Sequence, residues 1–174
     1  MKLGYILGLA ILVSTISCEE GMDLETVKTI DIEKYAGTWY EIARLPNSFE
    51  KGMSCVTATY TSLSNGKIEV KNAGILKGKN NKKKDIVGQA WVPNSALPGQ
   101  LKVRFFWPFS GDYYIMELDK DYNYALVGSP TRNFLWVLSR SPQLDQTIVD
   151  ELLAKAKEAK FDIDKVEMIP QDCN

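Results

Sequence analysis

Between Gly37 and Arg140 apolar and polar residues alternate over short runs rich in Val, Ile, Thr, Tyr and Phe, and turn-forming residues divide the runs. Successive side chains of a strand point to opposite sides, so such alternation predicts strands with one wet face. The runs cover residues 38–45, 55–62, 67–77, 84–92, 100–107, 112–118, 124–128 and 134–139. Ser64-Asn65-Gly66 reads as a hairpin turn in which Asn and Gly supply positive φ angles. Eight sequential strands with short connections and no second sheet to pack on predict an up-and-down antiparallel β-barrel, because closure removes both exposed edges. After Pro142 the period changes. Leu144, Ile148, Leu152 and Leu153 recur at helical spacing, predicting one amphipathic helix that runs to Lys160 and packs outside the barrel. Residues 163–168 read as a last short strand, and residues 30–35 as a lead-in turn or 3₁₀ helix.

The first residues have a different pattern. Met1 and Lys2 are followed by an apolar run from Leu3 to Ile16, then by Ser17-Cys18 and the charges Glu19-Glu20. A positive start, an apolar stretch too short for a bilayer span and a small residue at the end predict a secretory signal over residues 1–17. Residues 18–29 then form a linker, and residues 30–174 the barrel domain. An oxidising compartment follows from export. The chain has three cysteines, Cys18, Cys55 and Cys173. If Cys18 is acylated, Cys55 and Cys173 are the pair left to bridge; otherwise Cys18 is a free thiol after ordinary cleavage.

Composition narrows the chemistry. About 155 residues after cleavage suffice for one domain with its own core. The formal net charge is −1, which gives no pointer to nucleic acid, and there is no histidine. That removes Ser-His-Asp and Cys-His catalysis and the commonest metal and haem ligand. No CxxC, P-loop or GxGxxG occurs, and no metal site or cofactor is expected.

Thr15-Ile16-Ser17-Cys18 resembles the lipobox of bacterial lipoproteins, with Thr15 where that motif usually has Leu. The resemblance implies acylation of Cys18 and a lipid-anchored protein of the cell envelope, in bacteria the outer membrane. Gly37-Thr38-Trp39-Tyr40-Glu41-Ile42-Ala43-Arg44 resembles the GxW segment that opens the lipocalin barrel. Residues 119–128, with Asp121-Tyr122-Asn123-Tyr124-Ala125, are similar to that family's second block, and Leu135-Trp136-Val137-Leu138-Ser139-Arg140-Ser141-Pro142 to its third. The likeness spans nearly the whole mature chain, and runs to the bacterial outer-membrane members of the family and its apolipoprotein D branch. It implies a Cys55–Cys173 disulfide, a structural role for Gly37, Trp39 and Arg140, and a small hydrophobic ligand such as a fatty acid or lysophospholipid held inside. Some relatives use a cysteine thiol in the calyx for catalysis, so Cys55 is the nucleophile of the competing, enzymatic expectation.

Strands one and eight meet at the closed end, so Trp39 and Arg140 are expected in a cation–π contact at the floor. Parity from Arg140 turns Leu138, Trp136 and Phe134 inward. The apolar side of the other strands adds Val56, Ala58 and Tyr60, then Ile68, Val70 and Asn72, then Ile86, Gly88 and Ala90, then Leu101, Val103 and Phe105, with Trp107 at the end of that strand. In strand six, placing Glu117 in water turns Tyr114, Met116 and Leu118 inward. Small residues at 58, 88 and 90 argue for an unfilled interior. The loops at the open end carry Phe49, the lysines of 77–84, Trp107-Pro108-Phe109 and Pro130-Thr131-Arg132. They suit either contact with lipid headgroups or a plain solvated rim.

Overall fold

The computed structural model describes residues 23–78 and 80–173. The expected signal segment and Cys18 lie outside the described residues. Eight strands follow a four-residue helix α1 (Ile32–Tyr35): β1 (Gly37–Arg44), β2 (Met53–Ser62), β3 (Ile68–Leu76), β4 (Lys82–Trp91), β5 (Gln100–Phe106), β6 (Phe109–Leu118), β7 (Tyr124–Gly128) and β8 (Leu135–Ser139). Each pairs antiparallel with the next, and β1 pairs with both β8 and β2, so the sheet closes on itself. The turn between β2 and β3 is made differently from the expected Asn-Gly form. Gly66 takes the positive φ, at 76°, while the Asn65 carboxamide oxygen accepts from the Lys67 amide.

After β8, Asp145 caps helix α2 (Gln146–Glu158) by accepting from the Thr147 amide. Val149, Leu152 and Ala156 are its buried face. They pack on the outside of the barrel against Ala43, Leu126, Leu135 and Val137. Part of the expected linker also docks. Leu24 is buried in this outer cluster, and the Val27 amide donates to the Ile115 carbonyl at 2.9 Å.

The barrel has a seam, and the C-terminus fills it. β1 pairs with β2 only as far as Tyr40↔Thr57. Beyond that, a bulge at Glu41/Ala43 turns the strand away, and a two-residue strand β9 (Glu167–Met168) takes β2's place beside Ala43 and Arg44. The Ile169 amide donates to the Ile42 carbonyl, and the Cys55 amide to the Pro170 carbonyl. Gln171 donates to the carbonyls of both Glu41 and Val56. The Cys55–Cys173 disulfide locks this strap. Cys55 itself sits in a β2 bulge at φ 51°, so β2 begins two residues earlier than the alternation suggested. The expected last strand is divided between a 3₁₀ turn (Ile163–Lys165) and β9.

Candidate functional site

The interior divides into a sealed floor and an accessible upper chamber. At the floor the Arg140 guanidinium lies 3.9 Å from the centre of the Trp39 ring. It donates to the carbonyls of Thr38, Lys34, Tyr35 and Tyr122. Gly37 allows this: its φ is 94°, and a Cβ there would stand 3.2 Å from the guanidinium. Trp39 is fully buried and its indole donates to the Tyr35 carbonyl. Above it, Tyr113 hydrogen-bonds both Tyr35 at 2.7 Å and Tyr60 at 2.8 Å. Burial above all raises the pKa of all three hydroxyls, so they stay protonated.

Most of the expected lining faces this interior. Ala58, Tyr60, Ile68, Val70, Ala90, Val103, Phe105, Trp136 and Leu138 belong to one inner cluster with Trp39, Leu101, Ile115, Ala125 and Val127. Val56 is buried beside the inner face of Gly74. Phe134 stacks on Trp136 at 5.8 Å and meets Phe49 at 5.7 Å, forming an aromatic step up to the mouth. Ala58, Asn72, Ile86, Val103, Phe105 and Trp136 are only partly buried, whereas Tyr35, Trp39, Tyr60, Ile68, Val70 and Leu138 are buried.

Three expectations need correction. Tyr114 and Met116 do not face the interior; they pack in the outer cluster with α2. A bulge between Ile115 and Glu117 shifts the parity of β6. Glu117 does face out, where it pairs with Lys155 of α2, and Leu118 does face in; upstream of the bulge it is Tyr113 and Ile115 that point inward. Gly88 does not leave space either. A Cβ on it would lie 2.6 Å from the Phe105 ring, which already occupies that volume. Trp107 is not a wall of the chamber but 82% exposed at the rim.

The alternation argument also missed a charged group inside. Glu41 stands opposite Leu138 and Arg44 opposite Trp136 across the β1–β8 pair, which puts both on the inner side. Arg44 donates to the Glu41 carboxylate at 2.7 Å and to the Glu50 carbonyl at 2.8 Å. The Glu50 carboxylate folds in from the β1–β2 loop and accepts from Asn47 and from the Trp136 indole. All three charged residues are buried. Burial first, then the neighbouring Glu50 charge, pushes the Glu41 carboxyl well above the usual carboxylate range, against the pull of Arg44. Strict alternation from Trp39 reaches Glu41, so that residue was legible; Arg44 is placed by the bulge and Glu50 by a loop.

At the open end Phe49, Phe106, Trp107 and Phe109 are 59%, 69%, 82% and 78% exposed, and they make up most of the large apolar side chains exposed among the described residues. Lys77 in the β3–β4 turn and Lys82, Lys83 and Lys84 at the start of β4 are exposed at the same end. A groove of about 400 Å³ lined by Asp119, Asp121, Arg140 and Asp145 lies outside the barrel at the other end. Among the described residues no group of three or more Cys, Asp and Glu side chains is arranged to hold a metal ion.

A lipocalin-like domain model matches residues 30–171. The chain is a lipocalin. It is 40% identical over 149 residues to the outer membrane lipoprotein Blc of Vibrio cholerae, covering 85% of this chain and 86% of that one. It is 35% identical to apolipoprotein D of Bos taurus, covering 83% and 78%. Among solved structures, insecticyanin of the tobacco hornworm superposes with a TM-score of 0.67 at 24% identity, covering 84% of each chain, a likeness of fold. The family match and the Blc relative support the binding of a hydrophobic ligand by this chain.

Proposed function

We propose that this lipocalin is a lipid-anchored protein of the bacterial cell envelope that stores or carries a single-chain amphiphile, a fatty acid, lysophospholipid or similar lipid, in its barrel. The observation that carries this reading is the contrast inside the calyx: a floor sealed by Trp39 and Arg140 beneath an upper chamber with partly accessible apolar walls. Each chain methylene buried there stabilises the complex by about 0.8 kcal/mol, enough over half an acyl chain to offset the cost of association. The exposed aromatics and lysines at the mouth suit transfer to and from a lipid surface, since a tryptophan favours the interface and each lysine near an anionic surface adds about 1 kcal/mol. The anchor reading rests on Cys18 and on the similarity to outer membrane lipoproteins.

Binding rather than catalysis is the reading for Cys55 as well, because its sulfur is joined to Cys173 and offers no thiolate. Native extraction followed by mass spectrometry of the bound molecule tests the proposal. A lipid of the stated classes should co-purify, and tryptophan fluorescence should change when delipidated protein is titrated with it. If nothing co-purifies and no amphiphile binds, the carrier reading is lost. Membrane fractionation of Cys18→Ala tests the anchor separately: the variant should move to the soluble fraction.

A further inference from the structure

One polar side chain of the upper chamber has no partner. The Asn72 carboxamide oxygen is buried and accepts no hydrogen bond. The cross-strand neighbours of Asn72 on either side are Ala58 and Ile86, neither of which has a polar side-chain atom to offer. A buried amide without a partner is costly, so a site that keeps one is complete only when something else supplies the donor.

Below it lies the complementary deficit. Tyr60 is the diagonal neighbour of Asn72, since Ala58 pairs with Asn72 and Tyr60 with Val70. The hydroxyls of Tyr35, Tyr113 and Tyr60 form a chain with two hydrogen bonds among three O–H groups. Each bond uses one hydrogen, which leaves one hydroxyl hydrogen without an acceptor. Asn72 thus has an uncommitted acceptor, and the hydroxyl chain below it holds one hydrogen more than it can place within itself.

Charge decides what kind of group fits. Below the rim, where Lys84 and Lys82 continue the parity of Ile86 as exposed side chains, the cations turned to the interior among the described residues are Arg44 and Arg140. Arg44 is engaged by the Glu41 carboxylate and by the carbonyls of Glu50 and Met53, and Arg140 by four carbonyls under Trp39. Two carboxyl side chains, Glu41 and Glu50, share the interior with Arg44, so this group carries no net positive charge whether or not Glu41 holds its proton. An anionic headgroup lowered to this level would meet carboxyl groups and no available cation.

We propose that Asn72 and the Tyr60–Tyr113–Tyr35 hydroxyl chain form a seat for an uncharged polar group that both donates and accepts, such as the glycerol hydroxyls of a monoacylglycerol, and that the calyx selects neutral hydroxylated amphiphiles over fatty acid anions. The inference rests on the carrier reading above and narrows its ligand class.

The test uses delipidated protein loaded with diphenylhexatriene, an apolar reporter with no polar group, at pH 8. Monomyristoylglycerol and myristate, which carry the same acyl chain, compete for its place. Monomyristoylglycerol should displace the reporter at about tenfold lower concentration than myristate, the size of one or two net hydrogen bonds. Asn72→Leu and Asn72→Ala should each bring the two competitors within about threefold of one another, each displacement being referred to that variant's own affinity for diphenylhexatriene. Equal displacement by the two lipids in the original protein overturns the proposal, as does a preference that survives both substitutions. If neither the reporter nor any amphiphile binds the original protein, the carrier reading itself has failed.

Discussion

The two ends of this barrel are built from the same kinds of residues used in opposite ways. At the closed end aromatic and basic side chains meet each other: Arg140 lies over Trp39, and Lys34 and Lys120 pair with Asp31 and Asp121. At the open end they are left apart. Four large aromatics stand in water, and among the described residues no carboxylate lies within ion-pairing distance of Lys77, Lys82, Lys83 or Lys84. A soluble surface is stabilised by covering such side chains. The closed end is therefore a device for stability, and under the proposed function the open end is one for encounter with a lipid surface; a small net charge over the whole chain conceals that division.

Removing a side chain from the closed end should cost the most. Trp39→Ala leaves a cavity beneath Arg140 and should lower the unfolding free energy by about 3–5 kcal/mol, read from urea denaturation, with little selective effect on ligand affinity. Opening the Cys55–Cys173 strap by Cys173→Ser, with Cys55→Ser to avoid a stray thiol, should cost about 2–4 kcal/mol and lower the melting temperature; a reductant should do the same to the original protein. Equal melting of oxidised and reduced protein would show that β9 holds the seam without its covalent lock.

The charged group midway up the calyx answers to pH. Glu41 has a folded pKa above its unfolded one, so the folded state retains a proton that the unfolded chain releases. Stability is unaffected below the ordinary carboxylate pKa and falls as pH rises above it, by at most about 1.4 kcal/mol per pH unit. Glu41→Gln should flatten that decline in unfolding curves collected between pH 5 and pH 8. An unchanged slope would mean that Arg44 keeps Glu41 ionised throughout.

Effects at the open end should be small on stability and appear in function instead. Trp136→Ala removes a wall of the chamber, the stacking partner of Phe134 and a donor to Glu50, and should weaken amphiphile binding about tenfold in a fluorescence or calorimetric titration. Trp107→Ala and Phe109→Ala should change stability by no more than about 0.5 kcal/mol, since both rings are already in water. The same pair should reduce sedimentation with anionic vesicles, and a protein that sediments equally well without them would make the rim a bland surface.

Much of this was legible in the order of residues. Alternation placed β2, β3, β4 and β5 on the correct sides because their inner runs, such as Ile68, Val70 and Asn72, keep step with their partners through the lower barrel. It failed in β6 because a bulge adds one residue and reverses every side chain upstream, and nothing local in Tyr113-Tyr114-Ile115-Met116 marks which aromatic faces in. Reading Gly88 as open space failed because the filler, Phe105, comes from the neighbouring strand. The Glu41–Arg44–Glu50 group was hidden by the habit of placing charge outside, although Glu41 shares the parity of Trp39.

The seam between β1 and β2 sets a schedule for building the molecule. The residues that close it, from Glu167 to Cys173, are made more than a hundred residues after β1 and β2. Until they arrive, the upper half of β1 is an unpaired edge, open to the wrong strand or the wrong chain. The calyx wall is thus completed only after the segment from Glu167 to Cys173 has been made, and a copy terminated before that segment would carry a barrel that is split along its side.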